Sequence, residues 1–346
     1  MKFDSILHKA GSMFQSGKPS VFAVFSPFLI EPRFVTRVWG YQDLNPWFQY
    51  SSAQTNGEPV GEVWLTGDEC TVGSGSYKGA TLGELFAHAP EALMGKDRPA
   101  NGSPLLVKVI FAREKLSVQV HPDDHLAQKY GYPRGKTECW YALASEPGAE
   151  VAAGLRDGVT LDEIRAGIQN GTLEKSLAVL PVDKGDMVLV DAGTVHAIWP
   201  GSILLEVQQN SDLTYRMYDY GRPRELHIEK SLEATRLKTR AGKVPAKKLE
   251  DRTVLIDEEY FKVERIPVNV SRTSTTLSGT DETAPGLSYL FAAAGSGRLA
   301  SSGFEGFEMP TRSIVAVPAA SPVFAVQDLG GLDLIRIAPK WPATAK

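Results

Sequence analysis

The sequence predicts a mainly β protein built as two β-sandwich domains, with a few helices flanking the first. Three observations predict it. The chain carries 22 prolines and 32 glycines in 346 residues, too much punctuation for long helices. Between them lie short runs rich in β-branched and aromatic residues, the composition of pleated, half-buried strands. The length also exceeds what one hydrophobic core usually organises, so two domains are expected.

Taken in order, TLGELFAHA (81–89) predicts a helix opened by a capping box, Thr81 to Glu84, and leading into Glu91–Met94. Strands are expected over Leu105–Phe111 and Leu116–His121. Pro122-Asp123-Asp124 suits the first turn of a short helix, with the acids acting as caps. A strand over Thr137–Ala144 precedes VTLDEIRAGIQNGTLEKSLAVL, read as helical, with a second capping box from Thr160 to Glu163. Further strands are expected over Met187–Asp191, Ile203–Gln208 and Thr214–Tyr218. The basic stretch RLKTRAGKVPAKKLEDR (236–252) lacks apolar periodicity and reads as a solvated linker. It divides the chain into domains 1–240 and 241–346, the second with strands over Phe261–Ile266, Ser288–Ala293, Ser313–Val317 and Leu332–Ile337. GDMVLVDAGTVH (185–196) and RSIVAVPAASPV (312–323) align without gaps, so one architecture is expected twice. Where the first copy ends on His196, the second ends on Val323.

Composition removes whole classes of function. A formal net charge of −4 gives no reason to expect a nucleic-acid partner, while leaving room for a local basic pocket. The apolar run VFAVFSPFLI is short and broken by Pro27, so no membrane span is expected, and MKFDSILHKAGSMFQS has no apolar secretory core. Two cysteines, Cys70 and Cys139, fit a reduced, cytoplasmic compartment better than a disulfide framework.

One set of residues points to chemistry. In KLSVQVHPDDH (115–125), strand alternation aims Gln119 and His121 to the same side. GDMVLVDAGTVH places His196 just after a turn that Gly193 allows to bend sharply. Alone, His196 reads more readily as a hydrogen-bonded core histidine. Together with Glu138 in TECWYAL, the two imidazoles, the carboxylate and the Gln119 amide oxygen form a plausible ligand set for a divalent first-row metal such as zinc.

These motifs resemble a known family. Gly185 to His196 fits the second signature of the cupin jelly-roll fold, with Asp191 in place of its proline. VQVHPDD, GKTECWY, GTVHAI, EVQQNSDLTYRMYDYGR and LHIEKSL follow, in order and spacing, the type I phosphomannose isomerases in their short bacterial form. The resemblance covers roughly residues 27–235 well and the tail weakly. It implies two cupin-type jelly-roll domains, the second without metal ligands. It also implies a metal-dependent aldose–ketose isomerase that interconverts mannose 6-phosphate and fructose 6-phosphate through a cis-enediol. One Zn2+ per chain, or another divalent metal, would be held by Gln119, His121, Glu138 and His196. Arg216 matches the family's active-site arginine. Lys136 is a candidate for acid–base work or substrate binding, with a loop-capping lysine as the alternative.

Lys108, Arg113, Arg222 and Arg224 are candidates for the substrate phosphate, Glu206 for supporting the metal ligands, and His125 and His227 for structural or exposed positions. Two departures from the family pattern, Tyr41 after Trp39-Gly40 and Gly67-Asp68 after the GEVW stretch, bear on the substrate pocket. Two other readings remain open at this stage: a non-catalytic or regulatory sugar-phosphate-binding paralogue, and a cupin dioxygenase. A monomer or homodimer is expected.

Overall fold

The computed structural model describes residues 25–99, 102–268, 275–277 and 286–341. Residues 1–24, on which the expectation of no apolar secretory core rests, lie outside them. No helix of the described residues is long and apolar enough to cross a membrane.

The chain forms two compact units, one of residues 34–64 and 105–245, the other of 1–33, 65–104 and 246–346. The sequence-based division at 240/241 is linear. In the structure the change of unit falls five residues later, between Pro245 and Ala246, and residues 65–104 cluster with the C-terminal strands.

The unit that contains the candidate ligands is a two-sheet sandwich. One sheet has seven strands, in the order Gly242–Lys243, Met187–Val190, Glu138–Ser145, Ser202–Gln209, Leu105–Phe111, Val60–Trp64 and Arg33–Tyr41. The other has five: Tyr215–Tyr218, Val118–Val120, His196–Ile198, Glu150–Leu155 and Leu177–Pro181. Trp140, Val188 and Leu204 of the first sheet pack with Val151 and Ile198 of the second in one buried cluster, as expected when two sheets bury their inner faces.

The second unit repeats the plan. Its seven-stranded sheet runs Phe28–Ile30, Ile314–Val317, Ser288–Ala294, Asp333–Pro339, Phe261–Ile266, Thr253–Asp257 and Lys247–Lys248. The two aligned segments occupy the same place, second from one edge. A four-stranded sheet completes the unit, and Leu290, Val315, Phe324 and Leu334 are in its core.

Both capping boxes form, at Thr81/Glu84 and Thr160/Glu163, and Asp123 caps Asp124–Lys129 by accepting from the Leu126 amide. The expected helix beginning at Thr160 is shorter than its pattern suggested. It stops at Asn170 because Gly171 turns to φ +67° in the left-handed region. Residues Leu177–Pro181 then pair with Glu150–Leu155 as a strand, since a short apolar run cannot distinguish strand from helix. The basic stretch read as a linker contributes two short edge strands, Gly242–Lys243 and Lys247–Lys248. Its charges are partly paired: Arg236 with Asp123, and Lys243 with Asp186.

Candidate active site

Three neighbouring elements bring the ligand candidates together. In the five-stranded sheet His196 lies directly opposite Gln119, and Gln119 lies opposite Arg216. In the seven-stranded sheet Glu138 heads its strand, paired with Gln208 on one side and Val190 on the other. His121 follows the Val118–Val120 strand as the chain turns towards the Asp123 cap. The sandwich therefore closes two sheets over one point.

His121, Glu138 and His196 are each 1% exposed, and one ligand atom from each lies within 4.8 Å of the others. Backbone carbonyls orient both rings. His121 Nδ1 donates to Leu213 O at 3.0 Å and His196 Nδ1 to Thr194 O at 2.8 Å. Each Nε2 lone pair is left facing the carboxylate, His121 Nε2 at 3.5 Å from Glu138 Oε2 and His196 Nε2 at 3.5 Å from Oε1. Trp140 Nε1 fixes that carboxylate by donating to Oε1 at 3.1 Å. Gln119 Nε2 lies 3.2 Å from His196 Nε2; turning the amide about its last bond presents Oε1 there instead.

The electrostatics favour the metal-binding protonation states. Burial lowers the His121 imidazole to about 3, with the Lys136 charge acting in the same direction. Burial also lowers His196. Both rings are therefore neutral near pH 7, the form that ligates. Burial would raise Glu138, but the carboxyl is held well below its usual range, the Lys136 ammonium being the leading charge that opposes burial. His121 Nε2 and Glu138 Oε2 are buried without a hydrogen-bond partner. Buried polar atoms are costly in that condition, and a cation between them would satisfy both. The donor set of two imidazoles, a carboxylate and an amide fits a divalent first-row metal.

Above the triad opens a cavity of about 470 Å³ whose lining includes Arg37, Glu62, Lys108, Gln119, Lys136, Glu206, Arg216 and Arg224. Gln119 and Lys136 link it to the triad, Lys136 Nζ lying 3.2 Å from Glu138 Oε2. Lys136 sits just before its strand, in a loop that Gly135 allows to pass close to Pro122-Asp123: a Cβ on Gly135 would lie 2.4 Å from the Asp123 carbonyl carbon. Lys108 Nζ is held between Glu206 Oε1 at 3.0 Å and Glu62 Oε2 at 3.6 Å. Burial opposes its charge, yet the acids outweigh burial and raise the ammonium's pKa. Glu206 is itself raised, by burial and by the Glu138 charge.

Of the residues singled out in the sequence, Gln119, His121, Glu138, His196, Lys136 and Arg216 are thus brought to one place. Lys108 and Arg224 line the same cavity, whereas Arg113 and Arg222 are absent from its lining. His227 is structural: its Nδ1 accepts from the Arg216 amide at 3.1 Å, and its own amide donates to Arg216 O at 2.8 Å. Sequence reasoning missed Glu62 and Trp140. Glu62 accepts from Arg37 Nε at 2.8 Å and Trp64 Nε1 at 2.7 Å; the GEVW stretch was its only signal. The departures at Tyr41 and Gly67-Asp68 do not line the cavity. Asp68 instead accepts from the Ser103 amide at 2.6 Å.

Comparison with known proteins places the chain in a family. Residues 28–157 match the family model for the phosphomannose isomerase type I catalytic domain. A mannose-6-phosphate isomerase of Streptococcus mutans is 37% identical over 251 residues, covering 68% of this chain and 77% of the relative. The mannose-6-phosphate isomerase ManA of Bacillus subtilis is 37% identical over 248 residues, with 68% and 78% covered. The crystal structure of the mannose 6-phosphate isomerase from Bacillus subtilis superposes with a TM-score of 0.79 at 30% identity, over 90% of this chain and 99% of that one.

Proposed function

The chain belongs to the type I phosphomannose isomerases, and from that membership we propose that it interconverts D-mannose 6-phosphate and D-fructose 6-phosphate in the cytoplasm. The observation that carries the reading is the junction of a buried His121–Glu138–His196 triad with a cavity lined by Lys136 and Arg216. An aldose–ketose isomerisation moves a proton between C1 and C2 through an enediol. It needs groups that hold negative charge on the sugar oxygens and a group that carries the proton.

His121, Glu138 and His196, with Gln119 as fourth donor, would hold a divalent metal, zinc being the ion this donor set suits. Such an ion supplies Lewis-acid stabilisation of the oxygen charge that develops at C1 and C2. Arg216 lies across the strand pair from Gln119. Its permanent charge stabilises the enediolate from the cavity side. Lys136 is assigned to proton transfer, since its Nζ lies at the boundary between cavity and triad, 3.2 Å from Glu138 and 3.9 Å from Glu206. Trp140, Leu213 and Thr194 keep the ligand side chains from turning away.

The deciding assay strips the protein with chelator, reloads it with zinc, supplies mannose 6-phosphate and measures fructose 6-phosphate. Conversion that depends on the metal is expected. Absence of conversion with every divalent ion tried would overturn the isomerase reading.

A further inference from the structure

Arg216 stands on an edge strand, where the backbone has little to hold it. The Tyr215–Tyr218 strand ends its five-stranded sheet, with Val118–Val120 on one side and, among the described residues, no strand on the other. Its pairing is itself irregular, since the register shifts between Arg216 and Tyr218. A bulge on a free edge leaves a strand with fewer fixed partners than a central strand has. A guanidinium that must meet charge developing on a sugar oxygen tolerates little such freedom. A displacement of about 1 Å can cost on the order of a hundredfold in rate.

His227 supplies the missing partner. Its amide donates to Arg216 O at 2.8 Å, and its Nδ1 accepts from the Arg216 amide at 3.1 Å. One residue thus offers a donor and an acceptor to Arg216, as a neighbouring antiparallel strand would. The acceptor role fixes the tautomer, with the lone pair on Nδ1 and the proton on Nε2. The same short segment also reaches the side chain, where Arg216 Nη1 donates to Glu225 O at 2.8 Å. Residues 225–227 therefore hold Arg216 at its amide, its carbonyl and its guanidinium. His227 directly precedes the Ile228–Ala234 helix, yet its ring caps no helix amide; the acceptor is spent on Arg216 instead. The His227 carbonyl is fixed in turn by the Ser231 amide at 2.8 Å and Ser231 Oγ at 2.7 Å. Leu232 and Ala234 of that helix are buried with Val118, Val120, Tyr215 and Met217, so the helix is packed on the strands it braces.

We propose that His227 is a positioning residue for Arg216: standing in for a strand at the sheet edge, it fixes the guanidinium where the enediolate charge develops. This rests on the isomerase reading, which gives Arg216 its part in the chemistry. The imidazole acts through Arg216 and takes no proton from the sugar. What the role requires is an acceptor at the place of Nδ1, rather than the charge or the bulk of the ring.

The test uses the full-length, metal-loaded protein and two readouts, steady-state kinetics with mannose 6-phosphate and hydrogen exchange at the Arg216 amide. His227→Ala is expected to lower kcat on the order of tenfold or more, with KM within about twofold of the wild type. The Arg216 amide should exchange faster in this variant, because it has lost its acceptor. His227→Asn places its Oδ1 where Nδ1 stands and is expected to recover most of both losses. His227→Gln carries its acceptor one bond further out and is expected to recover neither. Adding His227→Ala to Arg216→Ala should lower kcat/KM by less than about twofold more, since the effect passes through Arg216. Metal content measured on each variant separates a misplaced arginine from a lost fold. Wild-type kcat in His227→Ala, equal losses in the Asn and Gln variants, or additive losses in the double variant would each overturn the proposal and leave the isomerase reading in place. If the wild type converts no mannose 6-phosphate, the isomerase reading falls and the role of His227 is judged by exchange alone. Unchanged protection of the Arg216 amide in His227→Ala then overturns it, and faster exchange restored by Asn supports it.

Discussion

His196 uses its two ring nitrogens for different purposes. Nδ1 is tied to the Thr194 carbonyl and fixes the ring, which leaves Nε2 as the donor aimed at Glu138 and Gln119. His196→Ala is therefore expected to lower bound metal on the order of tenfold or more, read by elemental analysis after dialysis. Arg216→Ala removes a cation that touches no member of the triad. Metal content should stay at the wild-type level while kcat/KM falls by a factor on the order of 100; normal turnover would show that the guanidinium has no part in the chemistry. Glu62 offers a separate prediction about acid stability. Burial pushes its carboxyl up, but Lys108, Arg37 and the Trp64 hydrogen bond outweigh burial and bring it down to about 2 from 4.5. A carboxyl with a depressed folded pKa stabilises the fold above about 4.5 and loses that contribution as the pH falls towards 2. The group's share is on the order of 3 kcal/mol. Urea unfolding between pH 6 and pH 3 should show a shallower pH dependence in Glu62→Gln than in the wild type, together with lower stability at pH 6.

At the scale of elements, the short segments around the site carry their information in single residues. The loop before the Glu138–Ser145 strand depends on Gly135, whose missing side chain lets it run against the Asp123 and Asp124 backbone. Gly135→Ala forces a Cβ into backbone that cannot give way. It is expected to cost about 1–3 kcal/mol, read by urea denaturation, and to reduce turnover by displacing Lys136. A variant as stable and active as wild type would mean that the loop is freer than its packing indicates. Caps of this kind were legible beforehand. Thr81, Asp123 and Thr160 announce helix starts because each side chain bonds an amide within its own turn. Strands whose identity depends on a distant partner were not. Arg33–Tyr41 carries charged and apolar residues without clean alternation and is fixed as a sheet edge beside Val60–Trp64. Gly40 and Gly61 permit that approach: a Cβ on Gly40 would lie 2.3 Å from the Val60 carbonyl carbon.

Across the whole molecule, the two units use one strand order for two different interiors. Glu138 opposes Val190 in one, and Ser288 opposes Val317 at the corresponding place in the other. Glu206 lies between Lys108 and Trp140 in its sheet; the matching place is taken by Arg336, between Glu264 and Leu290. Opposite charges stand at these register positions in both units with their signs exchanged, while the second aligned segment has no counterpart of His196. His196 is 1% exposed and Val323, its counterpart in the aligned segments, 60% exposed. Among the described residues, the one cluster of side chains placed to hold a metal is His121, Glu138 and His196. A metal held by the native triad and not by the unfolded chain stabilises the fold by mass action. Chelation is expected to lower the thermal midpoint by several degrees in the wild type and not in His196→Ala; equal shifts in both would place the stabilising ion elsewhere.

The sequence by itself determined the β-rich class, the helix starts, the internal duplication and the identities of the ligand candidates. Each of these depends on residue type and local spacing, and the ligand motifs also matched a known family in order. Only the tertiary structure decided which polar residues share the site. Glu62, Lys108 and Glu206 come from three separate stretches of chain, and strand pairing alone makes them neighbours. It also decided that Leu177–Pro181, helical by its local pattern, is a strand, because Glu150–Leu155 competes successfully for its backbone. KLSVQVHPDDH could state that Gln119 and His121 share a face. What that face meets, His196 on the neighbouring strand and Glu138 from the other sheet, depends on strand pairing and on two sheets closing over each other, and no local property of eleven residues encodes either.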